Sequence, residues 1–131
     1  MLSFQTTGCD NIFKYGSNFK LKKHEIIEGF KFLNKINVSK NSKFICLIVR
    51  DNAYLDDKYV GDWSYHEYRN GNIDDYIPCV KKLIDMGYTV FRMGKKMNKE
   101  LNINSDKFMD YSFSKYKSDL LDIFLMQNCF F

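Results

Sequence analysis

Residues 44–51 read FICLIVRD, six apolar residues in a row followed by an arginine and an aspartate. A short apolar run without alternation is typical of a strand buried on both faces of a parallel sheet. In open parallel sheets, ligands bind beyond the carboxyl ends of the strands. The sequence therefore predicts a buried strand at residues 44–49, with Arg50 and Asp51 at the edge of the sheet where a ligand would lie.

An amphipathic helix precedes this strand. Between Lys22 and Ile36, successive apolar residues are spaced three or four residues apart, which places them on one face of a helix. Gly29 would weaken this helix by about 1 kcal/mol relative to alanine, and a close packing contact would explain its presence. Residues 1–20 show no sustained period, so we expect a loop or an incomplete element there.

Further strands and helices alternate along the rest of the chain. We expect a second helix that begins near Tyr76, carries Pro78 in its first turn, is capped by Asp74 or Asp75, and ends at Gly87. Residues 52–72 are polar and aromatic without a clear period, which predicts a long loop that binds a ligand or is mobile. The remaining predicted elements are a strand at 88–91, a short strand near 108–109, a helix at 119–128 capped by Ser118, and the start of a strand at 129–131.

This order of elements predicts the α/β class, as a three-layer, Rossmann-like parallel sheet with right-handed crossovers. A chain of 131 residues fits one domain of ordinary size, which we place at residues 21–131. Because the sequence stops within the predicted strand at 129–131, we expect this domain to be part of something larger.

The composition excludes several classes of protein. A hydrophobic content of 45% and an aromatic content of 17% exclude a disordered chain. The net charge of +4 is too mild to indicate nucleic acid or an anionic membrane. With no transmembrane run and no signal-peptide pattern, we expect a cytoplasmic protein. Cys9, Cys46, Cys79 and Cys129 lack the paired spacing of a metal site or a disulfide framework, which predicts buried, reduced thiols.

The three arginines point to one kind of ligand. Arg50, Arg69 and Arg92 all fall at or near the predicted carboxyl edge of the sheet. A guanidinium group binds phosphates in a bidentate manner, which an ammonium group does not. Gly94 would allow close backbone approach, and the helix after Ser118 would supply free amides. The pattern predicts a diphosphate site; the alternative is that Asp51 only pairs with a neighbouring arginine while the aromatic residues pack down.

Other catalytic chemistry has little support in the sequence. Dinucleotide-binding, Walker, nucleophile-elbow and Asp-x-Asp motifs are all missing, so we expect neither a cofactor nor a metal. Asp51 is the best candidate for a general acid or base because of its position after the strand. His66 is a second candidate, and a histidine on a surface loop is the alternative interpretation.

Four segments together resemble a bacterial family of glycosyltransferases. FICLIVRD with Ala53-Tyr54 after it resembles that family's "His-Val-Arg-Asp…Ala-Tyr" segment. The other three segments follow in the same order: YHEYRN at 65–70, GYTVFRMG at 87–94, and Ser118-Asp119 with CFF at 129–131. The resemblance covers residues 20–131 and implies the C-terminal, Rossmann-like half of a GT-B-type enzyme, distantly similar to fucosyltransferases. Such a half holds a nucleotide-sugar donor without an essential metal.

The resemblance also implies roles for individual residues. Arg50 would contact the donor diphosphate, with Arg69 and Arg92 as further anion contacts. Ile48 stands where the family commonly has a histidine, which removes one candidate contact. The other positions that the motifs assign to the donor site are Tyr54, Asn70, Gly94, Ser118 and Asp119.

The expected function is therefore that of a glycosyltransferase-like domain. It would bind a nucleotide-diphosphate sugar for surface polysaccharide or glycan assembly, with a glycan acceptor held by a second domain. The alternative is a non-catalytic module that pairs with another chain through an unfinished sheet edge. A nucleic-acid-binding module using Lys95, Lys96 and Lys99 is a third hypothesis, which the mild net charge disfavours.

Overall fold

Three short parallel strands form the sheet of this α/β protein. The computed structural model describes residues 20–58, 61–62 and 64–130, and for Lys58 and His66 the backbone alone. The strands are β1 (Phe44–Ile48), β2 (Thr89–Met93) and β3 (Phe108–Met109), in the spatial order β1-β2-β3. Phe44 lies opposite Thr89, and Val90 lies opposite Phe108. Because the strands are parallel, their carboxyl ends meet at one edge of the sheet.

Helices surround the sheet and connect its strands. The α-helices are α1 (Lys23–Lys35), α2 (Ala53–Lys58), α3 (Ile77–Asp85) and α4 (Asp119–Asn128). The described residues also form short 3₁₀ helices at Ser64–Arg69, Ile73–Tyr76 and Tyr111–Phe113. Within the part of the chain that the structure describes, no helix combines the length and the apolar character needed to cross a membrane.

Two apolar clusters lie on opposite faces of the sheet, because successive side chains of a strand point to opposite sides. On one face, Phe44 and Phe91 pack with α1 and α4 through Phe32 and Phe124. On the other face, Leu47 and Val49 pack with Ile73, Leu101 and Ile77, the first residue of α3. The predicted α/β class is confirmed, with a sheet of three strands among the described residues.

Helices α1 and α4 pack closely against each other, as Gly29 allows. A Cβ atom at residue 29 would lie only 2.2 Å from the ring of Phe124. The close contact that the sequence predicts at Gly29 is therefore confirmed. At the other end of this pair, the Ser118 hydroxyl accepts a hydrogen bond from the amide of Leu121 at 3.2 Å, which confirms it as the cap of α4.

Residues 52–72 are not the continuous loop that their composition predicts. They contain α2 and the 3₁₀ segment Ser64–Arg69, while Tyr59, Val60 and Trp63 lie outside the described residues. The cap predicted at Asp74 or Asp75 is also wrong: Asn72 accepts the amide of Asp74 at 3.1 Å and caps the 3₁₀ segment that leads into α3. Gly87, with φ of +93°, does follow the end of α3, as predicted.

The two main strands differ from their predicted surroundings. β1 is less buried than the apolar run predicts: Phe44 and Ile45 are buried, whereas Ile48 is 60% exposed, and among the described residues β1 is an outer strand of the sheet. β2 is the fully buried central strand, and it extends through Arg92 and Met93, which the sequence placed after its end. The predicted loop at 1–20 lies outside the described residues except for Lys20, as does Phe131. Phe130 belongs to no strand, although its amide donates to the carbonyl oxygen of Phe44 at 2.7 Å.

Candidate functional site

An open cavity of about 320 Å³ lies at the carboxyl edge of β1 and β2. Three segments form it: the residues directly after β1, the residues around the start of the 3₁₀ segment before α3, and the connection between β2 and β3. Its lining consists of Val49, Asp51, Asn52, Asn70, Gly71, Asn72, Ile73, Arg92, Asn98 and Lys99. We call it the edge cavity. Its volume falls within the range of small-molecule sites.

Asp51 holds two segments of the rim together. One carboxylate oxygen accepts the amide of Ala53 at 3.0 Å, and the other accepts the amide of Asn98 at 2.8 Å. The side chains of Asn98 and Asn52 are also hydrogen-bonded to each other. Both carboxylate oxygens of Asp51 therefore have backbone partners, which fixes the position of this side chain in the rim.

Arg92 forms the floor of the edge cavity and is only 1% exposed. Its guanidinium group forms an ion pair with Asp110 at 2.7 Å, and it also donates to the carbonyl oxygen of Lys99. Asp110 accepts a further hydrogen bond from the amide of Leu101 at 2.7 Å. Asp110 already neutralises the charge of Arg92. Arg92 is therefore not the free contact for an anion that its position in the sequence suggests.

Two buried polar atoms at this cavity have no hydrogen-bond partner among the described residues. They are Oδ1 of Asn70, an acceptor, and Nε of Arg92, a donor. Buried polar atoms are nearly always paired, so each of these two lacks a partner that a protein normally supplies. A group that both donates and accepts, such as a ligand hydroxyl or a base edge, has the chemistry to complete both hydrogen bonds.

A second group of predicted residues meets at the N-terminus of α4. Lys95 forms an ion pair with Asp119 at 2.6 Å, which raises the pKa of Lys95 and lowers that of Asp119. Tyr54 is close enough to Lys95 to contribute to the same increase of its pKa. The ammonium group of Lys117 donates to the carbonyl oxygen of Gly94, and its pKa is lowered chiefly by burial.

Two amides at this helix end, those of Ser118 and Leu121, already have partners. Ser118 caps α4, and its own amide donates to the hydroxyl of Tyr111 at 3.0 Å. The Ser118 carbonyl oxygen in turn accepts from that hydroxyl at 3.3 Å. Gly94 has a packing role, since a Cβ there would lie 2.3 Å from the sulfur of Met97. The predicted use of Ser118 and Asp119 for a diphosphate would thus displace contacts that stabilise the fold.

The other two arginines are exposed and do not meet Arg92 in one cradle. Arg50 makes no side-chain hydrogen bond or ion pair with a described residue, while its carbonyl oxygen accepts the amide of Gly71 at 2.8 Å. Arg69 donates from Nε to the hydroxyl of its neighbour Tyr68 at 2.8 Å. The side chain of His66 lies outside the described part of the structure. Arg50 is therefore the arginine whose guanidinium group remains available.

Sequence reasoning missed most of the amide groups that line the edge cavity. These amide groups belong to Asn52, Asn72 and Asn98, which follow predicted strands or precede a helix. The only signal for them in the sequence was the abundance of asparagine. Lys99 was noted only as a possible nucleic-acid contact, and in the structure it pairs with Asp74. Asp110, the partner of Arg92, had no signal because the two residues meet only through the fold.

The described residues contain no cluster of three or more histidine, cysteine, aspartate or glutamate side chains arranged to hold a metal ion. Comparison with known proteins gives no assignment for the edge cavity: no protein-family model matches the chain, and no curated protein or solved structure is significantly similar to it.

Proposed function

We propose that this chain is a cytoplasmic, glycosyltransferase-like domain that binds a nucleotide-diphosphate sugar at the edge cavity. The observation that carries the proposal is the pair of unpartnered buried atoms, Asn70 Oδ1 and Arg92 Nε, in a cavity at the carboxyl edge of parallel strands. That edge is where α/β sheets bind their ligands. The resemblance of the VRD, YRN and RMG segments to a glycosyltransferase family adds support, and the sheet would then be a part of a GT-B half.

The charges around the edge cavity suggest which part of the ligand enters it. Arg92 is paired with Asp110, Lys99 is paired with Asp74, and Asp51 adds a negative charge at the rim. A diphosphate would gain little there, because both cationic residues among the described lining, Arg92 and Lys99, already have anionic partners. Asparagine amides both donate and accept hydrogen bonds, so they suit the hydroxyl groups of a ribose or a sugar, or the edge of a base.

Arg50 is the residue we assign to the diphosphate. It follows β1 immediately, it is exposed, and its guanidinium group has no partner among the described residues. A bidentate contact from Arg50 would stabilise the charge that develops on the nucleotide diphosphate as the sugar leaves. Asp51, with both oxygens engaged by amides, would orient the rim rather than act as a base.

Calorimetric titration with uridine, guanosine, cytidine and thymidine diphosphates tests this function. We expect one of them to bind and to raise the melting temperature, since a ligand at about a hundred times its dissociation constant stabilises by about 2.7 kcal/mol. Arg50→Ala should weaken that binding about tenfold or more, as loss of a charge-assisted contact implies. Arg50→Lys keeps the positive charge but loses the bidentate geometry of the guanidinium group. Lys31→Ala, at an exposed position on α1, is the control. Equal affinity in all three variants would overturn the assignment.

The alternative function, a module that pairs with another chain, rests on the outer edge of β1. The amide of Phe130 donates to the carbonyl oxygen of Phe44, and Ile48 at the other end of the strand is 60% exposed. A second strand could add there. Sedimentation over a wide concentration range tests this alternative: association without nucleotide binding would support it, and a monomer at all concentrations would exclude pairing between copies.

A further inference from the structure

Two of the cysteines lie side by side where α4 meets the sheet. Cys46 is on β1, and Cys129 is the first residue after α4. Both are partly buried and pack against the same apolar cluster. Cys129 is among the groups that raise the pKa of the Cys46 thiol, and neither cysteine is part of a disulfide in this structure.

Backbone contacts hold the two cysteines in register. The amide of Phe130 donates to the carbonyl oxygen of Phe44 at 2.7 Å, so the chain after α4 runs along the outer edge of β1. The amide of Cys129 donates to the carbonyl oxygen of Leu125 at 2.9 Å, which keeps this residue on the last turn of the helix. These contacts place Cys129 beside the first residues of β1, the strand that carries Cys46.

We propose that Cys46 and Cys129 form a reversible intrachain disulfide when the protein meets a peroxide. The sulfur of Cys129 attacks one peroxide oxygen, becomes a sulfenic acid and releases one water. The sulfur of Cys46 then attacks the sulfenic sulfur and releases the second water. In total, two thiols lose two electrons and two protons, and one hydrogen peroxide becomes two waters.

The order of these steps follows from burial. Burial raises the pKa of the Cys46 thiol to about 12, so this thiol is protonated near neutral pH and is a poor first nucleophile. The Cys129 thiol donates to the carbonyl oxygen of Met126 at 3.2 Å in an exposed contact, where a peroxide has access. Cys46 then acts on a sulfur already beside it, where proximity compensates for its low thiolate fraction.

The disulfide would bind the end of α4 to β1. In the reduced protein, a backbone hydrogen bond from Phe130 to Phe44 already links this junction. A covalent link that closes a long loop restricts the unfolded chain and stabilises the fold. It would also hold residues 129–130 against the outer edge of β1, and thereby block the edge that the alternative function would use.

The experiment is peptide mapping by mass spectrometry after treatment with hydrogen peroxide, without reducing agent. We expect one dominant cross-link, between the peptides that carry Cys46 and Cys129, which dithiothreitol reverses. The oxidised protein should melt several degrees higher than the reduced protein. Cys129→Ser should leave Cys46 reduced, whereas Cys79→Ser, which removes an exposed thiol on α3, should not change the cross-link.

Three outcomes would overturn the proposal: over-oxidation of Cys129 without a cross-link, a dominant cross-link through Cys9 or Cys79, or disulfide-linked dimers. Because the wild-type chain is mapped directly, the result does not depend on whether a variant folds. The cross-link is also measured without nucleotide, so this result does not depend on whether the proposed nucleotide-binding function is correct.

Discussion

Replacing Asp110 with alanine would show whether Arg92 belongs to the fold or to a ligand. The variant removes a carboxylate that is 4% exposed and pairs with Arg92 at 2.7 Å. It also removes the acceptor for the amide of Leu101 and for the hydroxyl of Ser112. Breaking a buried ion pair by removing one partner costs about 3–5 kcal/mol, because the remaining charge stays buried without compensation.

Urea denaturation measures this loss. With a slope of about 2 kcal/mol per molar urea, the midpoint should fall by about 2 M. Asp119→Ala is the matched control: it removes the same charge from an ion pair whose side chains are 61% and 83% exposed, and its midpoint should not change measurably. If Asp110→Ala does not fold, Asp110→Asn retains the shape and should show a smaller loss. A midpoint for Asp110→Asn equal to that of the control would refute the reasoning and leave Arg92 free for an anion.

Three further predictions test the packing, capping and thiol chemistry. Gly29→Ala should lower the unfolding free energy by about 1–2 kcal/mol, since a clash with the buried ring of Phe124 outweighs the roughly 1 kcal/mol gain in helix propensity; a higher melting temperature would contradict this. Ser118→Ala should cost about 1 kcal/mol through loss of the α4 cap, and an unchanged urea midpoint would contradict the assigned role. Iodoacetamide should alkylate the exposed Cys79 much faster than Cys46 at pH 7, and the Cys46 rate should rise with pH towards its pKa of about 12; equal rates by mass spectrometry would show that Cys46 is not shielded.

Local signals in the sequence were enough for α1, α3 and α4 and for the positions of β1, β2 and β3, but not for α2. The spacing of apolar residues predicted α1, and Ser118 before an apolar stretch predicted both the start and the cap of α4. Gly29 was correctly interpreted as a packing contact because glycine costs stability within a helix and needs a reason there. The helix and the cap depend on neighbours within a few residues, whereas Phe124, the contact of Gly29, is far along the chain.

Non-local contacts decide what the sequence could not show. An apolar run predicts a strand buried on both faces but not its place in the sheet, and β1 is an outer strand among the described residues, with Ile48 60% exposed. An arginine at the end of a strand predicts an anion contact until its partner is known, and Asp110 is 18 residues away from Arg92. The helical turns in 52–72 lack an apolar period because little of their surface is buried. The nucleotide-binding role of the site residues stays a prediction.

The edge cavity combines a rigid floor with a weakly held rim. Its floor is the central strand β2, whose five residues are all buried. Its rim is held by polar contacts near the solvent, such as those of Asn98 with Asp51 and Asn52. Segments with few buried apolar contacts open at a small fraction of the global unfolding free energy, whereas core strands open only with the whole fold. The amide of Asn98 should therefore exchange its hydrogen with solvent far sooner than that of Val90, so a ligand could enter and leave while the sheet stays closed.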